Sequence, residues 1–401
     1  MLEVLRTSEV IDIINNEFRY DEAEEVGLLE SLGRIVSREI ISPEDLPPFS
    51  RSTVDGYAVF AADTFGSSEA LPSYLTIQGE VRMGEATDIK LERYHTVYVP
   101  TGGMLPEGAD SVVMIEYTER LGKEVTVARP VAPGENIISR GDDVKRGDLL
   151  FTKGHRIRPQ DVGVLAALGI IKVPVFKKLR VGILSTGDEL VSPGENPGPG
   201  EVRDINLYSL AASVVKDGGT PEVYGIVKDD FKSLRKVLSD MLLDNDIVLI
   251  SGGSSVGVRD MTERVMGSFD GSRMLVHGVS VKPGKPTLLA CIDGKAVFGL
   301  PGHPVSALTI YGLFVRPIIS HGELDSDVYV TARMAENYSS NHGREEYLPV
   351  RLEEDGNEYL AYPVYGESGL ITSLTRAHGV VRIEAGREGL NRGQVVKVRL
   401  Y

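Results

Sequence analysis

The chain has 401 residues, 42% of them hydrophobic and 25% charged, with 44 glycines, 21 prolines, one cysteine and no tryptophan. That length exceeds one ordinary core and predicts roughly two to four domains, and the balance of apolar and charged residues excludes extended disorder. A net charge of −15 excludes non-specific nucleic-acid binding, and no apolar run approaches the ~18–20 residues that span a bilayer, so neither nucleic acid nor membrane is expected as a partner.

The first residues alternate charged and apolar side chains with no basic start followed by an apolar run, so no signal peptide is expected. Cys291 alone cannot form an internal disulfide, and no Cys/His cluster has zinc-site spacing. The chain reads as cytoplasmic and reduced. Thr7-Ser8-Glu9 before Val10, Ile13 and Ile14 predicts a capped helix. Leu28, Leu29, Leu32, Ile35 and Val36 suggest a second helix, broken by Ser42-Pro43 and Leu46-Pro47-Pro48. From 50 to 140 the pattern turns to short β-prone runs: Tyr57–Val59, Leu75–Gln78, Thr96–Val99, Ser111–Ile115 and Val125–Val127. Pro159 opens another helix, with Gly169 past its end. That helix and the first 45 residues predict one discontinuous region with the β-unit inserted.

From 179 to 320 strands and helices alternate. Leu179–Leu184, Val223–Val227 and Asp246–Ser251 read as strands; Asn206–Gly218 and the run from Phe231 read as helices, the latter behind Asp229-Asp230. Nearly wholly apolar strands between amphipathic helices predict a parallel sheet covered on both faces. Residues 327–401 return to β patterning.

Ligands of open parallel sheets gather at the carboxyl ends of strands. Three loops qualify: Ser185-Thr186-Gly187-Asp188-Glu189-Leu190, Ser251-Gly252-Gly253-Ser254-Ser255-Val256-Gly257, and Gly299-Leu300-Pro301-Gly302-His303-Pro304-Val305-Ser306. Exposed N–H groups and hydroxyls before a helix can hold an anion. No Walker or G-x-G-x-x-G pattern is present, which disfavours P-loop and ordinary dinucleotide chemistry. Val281-Lys282-Pro283-Gly284-Lys285-Pro286 supplies two lysines on a stiff turn, against the acidic background. Carboxylates among anion-binding loops point to a divalent cation, and Mg²⁺ fits oxygen ligands plus phosphate. Asp229 has a blander alternative, a charge at a helix start.

Taken together and in order, these segments resemble the MoeA family of molybdopterin molybdenumtransferases, which includes the C-terminal domain of gephyrin. The matching runs are S-T-V-D-G-Y-A at 52–58, P-T-G-G at 100–103, P-E-G-A-D at 106–110 and E-N-I-I-S-R-G-D-D at 135–143. They continue with S-T-G-D-E-L at 185–190, D-I-V-L-I-S-G-G-S-S-V-G at 246–257, V-K-P-G-K-P at 281–286 and G-L-P-G-H-P-V-S-A at 299–307.

The resemblance implies a multidomain α/β plus β architecture. A discontinuous linking region (1–45 and 140–178) carries an inserted β-domain (46–139). An α/β molybdopterin-binding domain (179–326), shared with molybdopterin adenylyltransferases, and a C-terminal β-barrel (327–401) follow. It further implies a homodimer with its cleft between subunits, adenylated molybdopterin and molybdate or tungstate as substrates, and room for contact with the adenylyltransferase. Asp55, Lys282 and Lys285 would be catalytic. Thr101, Arg140, Thr186, Gly187, Ser251, Gly252, Gly253, Ser254, Gly257, Pro301, Pro304, Ser306, Arg344 and Ser373 would bind substrate. Glu189 and Asp229 would bind substrate as well and, with Asp260, hold Mg²⁺. The family's Ser-Ala-Met before Asp-Gly-Tyr is Ser52-Thr53-Val54 here, and its Asp-Ser-Asn is Asp204-Ile205-Asn206. Rival readings are adenylylation of molybdopterin, a scaffold role, and nucleotide hydrolysis on the same α/β domain.

Overall fold

A computed structural model describes residues 4–252, 256–322, 327–341 and 343–401, with side chains of 256–259 excluded. Its centre is a six-stranded sheet in the order 220–227, 180–186, 247–252, 295–300, 288–292, 273–277. The first four strands are parallel. The last two strands join antiparallel, so the expected parallel sheet carries an antiparallel edge.

Alternation along each strand sends side chains to two separate cores. Val181, Ile183, Leu249 and Phe298 pack with Leu207, Leu210 and Val214 of the helix Asn206–Lys216 and with Ala307, Ile310 and Phe314. Leu184, Val248, Ile250 and Val297 pack on the other face with Leu234, Leu238 and Met241 of the helix Phe231–Asp244. Each fully buried leucine there stabilises by roughly 1.5–3 kcal/mol relative to an exposed one. Both faces are covered, as the strand pattern requires.

The inserted unit is a second six-stranded sheet, in the order 111–114, 56–59, 95–99, 73–80, 124–127, 118–121. Thr118–Leu121, not foreseen as a strand, closes a hairpin with Glu124–Val127 at that sheet's edge. Segments on either side of the insertion pair with each other: Ala23–Gly27 with Lys172–Phe176, and Ile40–Ile41 with Leu149–Phe151. These ladders tie the segments before the insertion to those after it.

The second expected helix does not form. Only Leu29–Ser31 makes a single 3₁₀ turn; Leu29 is 85% exposed, and Gly33 takes a left-handed φ of 73° that ends the turn. Ile35 and Val36 are instead bridged to Arg156 and Val175 and buried. Their β-branched shape suits that extended pairing. The helices Thr7–Glu17 and Pro159–Ala167 form where expected, but no Thr7 or Ser8 hydroxyl caps the first: Arg6 precedes it, its N–H held by Glu9 at 2.7 Å, and the Thr7 hydroxyl turns to Glu345.

In the last region, strands Tyr329–Met334, Glu345–Asp355, Glu358–Pro363, Gly379–Ile383 and Val395–Leu400 close into a five-stranded barrel. It is joined to the α/β domain by a two-residue parallel ladder, Val281↔Glu345 and Lys282↔Glu346. No helix among the described residues is long and apolar enough to cross a membrane.

Candidate active site

The chain runs from the Arg180–Thr186 strand to one side and then returns to Ile247–Gly252 on the other, so the strand order reverses between these two. A crevice opens at the carboxyl ends of such a pair. Thr186 and Gly252 are register partners there, as are Ser251 and Leu300 one strand further on. All three loops singled out above therefore leave the same edge of the sheet. Gly252 is required by packing: a Cβ at this position would meet the Thr186 carbonyl oxygen at 2.2 Å.

The polar groups at this edge are joined to one another. The Thr186 hydroxyl donates to Asp229 Oδ1 at 2.6 Å, and the Asp229 N–H reaches Asp188 Oδ1 at 3.4 Å. Asp229 thus faces the strand-end crevice, and the helix start is capped by its neighbour: Asp230 accepts from the Ser233 N–H at 2.8 Å. Asn206, which the sequence left without a role, donates through Nδ2 to Ser251 Oγ at 2.8 Å and to the Gly302 carbonyl at 2.7 Å. It ties the second loop to the third. Glu189 is exposed and folds its carboxylate over Gly187.

Gly253 and Ser254 lie outside the described residues, and Gly257 falls within the helix Val256–Met266. Asp260, on that helix, lines a shallow cleft with Phe231, Glu263 and Arg264. Among the described residues, Glu189, Asp229 and Asp260 form no three-ligand group. The edge offers oxygen atoms on both faces of the sheet: Asp229 and the Thr186 hydroxyl on one, and on the other Ser185 Oγ and Asn206 Oδ1, which like Asp204 Oδ2 are buried without a hydrogen-bond partner. Buried polar atoms left unpaired are rare in native proteins. The Asp229 carboxylate suits Mg²⁺, which keeps most of its waters and takes one or two carboxylates plus a ligand's phosphates rather than a full protein cage.

A cleft of about 640 Å³ lies between this domain and the barrel. It is lined by Lys282 and Lys285 from the lysine turn, Pro301, His303 and Ser306 from the third loop, and Arg344 and Ser373 from the barrel. The residues expected to meet an oxyanion therefore share one cavity. Pro304 opens the helix behind it and is buried. Both lysines line the cleft, but they are not equivalent. Lys282 Nζ lies 2.8 Å from Glu346 Oε1 and is committed to a buried carboxylate. Lys285 and Arg344 are exposed and make no ion pair among the described residues.

Sequence reading missed Glu346, Tyr338 and the contact of His303 Nδ1 with Ser368 Oγ at 2.7 Å. All three depend on barrel residues distant in the chain, and no local motif announces them. Burial, followed by the bond to Glu346, raises the Tyr338 phenol well above its ordinary range, so it stays a donor.

The inserted domain gathers a second group. Ser52 pairs with Ile137, its N–H donates to the Gly103 carbonyl at 3.0 Å, and its carbonyl accepts from the Gly102 N–H at 2.8 Å. Three matched segments thereby meet at one corner. Asp55 Oδ1 accepts from the Thr101 N–H at 2.7 Å and from its hydroxyl at 3.2 Å. Arg140 sits close by, with Nε on Asp45 Oδ2 at 2.6 Å. The Arg146 N–H and then Arg140 hold the Asp45 carboxyl below its usual range. Neither Asp55, Thr101 nor Arg140 lines the cleft that holds the lysines.

With this geometry in place, comparison with known proteins is informative. Residues 5–169 match the MoeA N-terminal region (domain I and II), residues 182–321 a domain described as "Probable molybdopterin binding domain", and residues 331–401 the MoeA C-terminal region (domain IV). A Methanocaldococcus jannaschii protein named for molybdopterin biosynthesis is 36% identical, over 94% of this chain and 92% of its own. The molybdopterin molybdenumtransferase of Bacillus subtilis is 31% identical, over 94% and 90%. The crystal structure of a molybdopterin biosynthesis MoeA protein from Pyrococcus horikoshii superposes with a TM-score of 0.85 at 38% identity, covering 99% of each chain. The chain belongs to the MoeA family.

Proposed function

We propose that this chain is a molybdopterin molybdenumtransferase, which places molybdate or tungstate on the dithiolene of adenylated molybdopterin and releases AMP. The observation that carries the reading is the cleft between the α/β domain and the barrel. In a protein of net charge −15, it brings Lys282, Lys285 and Arg344 together with Ser306 and Ser373. Cations and hydroxyls fixed in a cleft suit a small oxyanion, because they need little reordering when charge arrives.

In this reading the strand-end crevice takes the adenylated substrate. Thr186, Gly187, Ser251 and Gly252 face its phosphates. Asp229 would hold Mg²⁺, which would supply charge neutralisation at the phosphate oxygens when bound. Lys285 and Arg344 bind the oxyanion, with Ser306 donating its hydroxyl and Pro301 and Pro304 shaping the wall, while Ser373, whose hydroxyl donates to the Leu370 carbonyl at 2.7 Å, lines the cleft. Asp55, kept in place by Thr101, acts at the phosphoanhydride while Arg140 lines that face. Because these three lie outside the lysine cleft, they would reach it from the second subunit of a homodimer. The enzyme would work in the cytoplasm, with room for contact with the adenylyltransferase. The dithiolene sulfurs belong to the substrate, which accounts for a chain with a single, buried cysteine.

The test is AMP release from adenylated molybdopterin with and without added molybdate or tungstate. Oxyanion-dependent release is expected. ATP-dependent formation of adenylated molybdopterin with loss of pyrophosphate in place of AMP release, or no release at all, contradicts the proposal.

A further inference from the structure

The barrel strand Glu345–Asp355 opens with two consecutive glutamates, and successive side chains on a strand leave on opposite faces. Glu345 accepts from the Thr7 hydroxyl at 3.0 Å, from the Tyr347 hydroxyl at 3.1 Å and from Arg382 at 2.6 Å. Those contacts sew the amino-terminal helix to the barrel. Glu346 points the other way, into the wall of the lysine cleft. It is 4% exposed, accepts from the Tyr338 hydroxyl at 2.7 Å and from the Ser340 hydroxyl, and pairs with Lys282 at 2.8 Å. Three donors on one buried carboxylate satisfy it well enough to keep its charge out of water.

Backbone and side chain agree at this point. Lys282 and Glu346 are register partners in the two-residue ladder between the lysine turn and the barrel. The Glu345 N–H also donates to the Ser280 carbonyl at 3.1 Å, and the Ser280 hydroxyl to the Gly343 carbonyl at 2.9 Å. The lysine turn belongs to one domain, yet what aims its first ammonium belongs to another. A free lysine stem must be ordered when ligand binds. Here that ordering is done on folding, and the ammonium keeps two of its three donors for the cleft.

We propose that Glu346 is a positioning residue of the transfer site: it fixes the Lys282 ammonium on the cleft wall and leaves Lys285 and Arg344 to compensate the oxyanion. The pairing also sets selectivity. Three uncompensated cations would attract any polyanion, and offsetting one of them weakens that general attraction while retaining a fixed donor. This inference rests on the molybdenum-transfer reading.

The test uses full-length Glu346→Gln, Glu346→Asp, Lys282→Ala and the Glu346→Gln/Lys282→Ala double variant. Each is assayed for molybdate-dependent AMP release and titrated calorimetrically with molybdate alone. Glu346→Gln should lower kcat about 10- to 100-fold, with molybdate bound more tightly, and Glu346→Asp should recover part of the rate. Adding Glu346→Gln to Lys282→Ala should change neither readout further. Wild-type kcat in Glu346→Gln overturns the proposal. So does an effect that multiplies independently with Lys282→Ala, or a joint loss of rate and molybdate affinity. Absence of molybdate-dependent release by the wild type would instead overturn the transferase reading, while coupling in the molybdate titrations still decides the role of Glu346.

Discussion

The Thr186 hydroxyl donates to Asp229 Oδ1 across 2.6 Å, joining the ends of two neighbouring parallel strands at the crevice. That bond aims a carboxylate that the sequence could equally assign to a helix start. Thr186→Val keeps the shape and removes the donor. We expect a loss of about 1 kcal/mol in stability and a clear fall in AMP release. Asp229→Asn should lower the rate further with little change in melting temperature. An Asp229→Asn enzyme of wild-type rate would remove Asp229 from the site.

Gly252 tests the close approach of two strands. An alanine Cβ there would fall 2.2 Å from the Thr186 carbonyl oxygen, which is backbone and cannot rotate away. Gly252→Ala should destabilise by roughly 1–3 kcal/mol through forced separation of the strands. Urea unfolding measures it directly. A neutral result would mean that the two strands are not so close.

A pH dependence follows from His321. Its ring stacks on Phe176 with centroids 4.1 Å apart. Burial, opposed in part by Asp21 and reinforced by Lys153 and Arg34, pushes its pKa down to about 4. The unfolded chain therefore takes up this proton more readily than the folded one. The contribution is fully present above pH 6.5 and is lost as pH falls towards 4, amounting to about 2 kcal/mol at pH 5. His321→Phe should keep the stack and remove this part of the acid sensitivity. Urea unfolding at pH 7.5 and pH 5 would show the difference between wild type and variant narrowing or reversing at the lower pH. A constant difference would contradict the assignment.

Much of the architecture was legible because it rests on local periodicity. Leu207, Leu210 and Val214, and Leu234, Leu238 and Met241, repeat at helical spacing and bury as that spacing requires. The apolar run Ile247–Ile250 could only be a strand covered on both faces. Leu28 to Val36 misled for the same reason. The spacing was helical, but Gly33 and extended pairing of Ile35 and Val36 with distant partners overrode it. In the site, the loops were visible because small residues and hydroxyls cluster beside strand ends. Their connections were not. Asn206 meets Gly302 from 96 residues away, and Lys282 meets Glu346 only because the barrel docks on the lysine turn. Charge counts from sequence cannot tell a paired lysine from an unpaired one.

The most direct test of the account mixes two inactive proteins. Asp55→Ala lacks the group on the inserted domain, and Lys285→Ala lacks the oxyanion cation on the α/β domain. If one subunit completes the site of the other, co-refolding the two variants should restore molybdate-dependent AMP release to about a quarter of wild type, since half the dimers are mixed and each carries one intact site. Activity no higher than that of the separate variants would contradict a site shared between subunits.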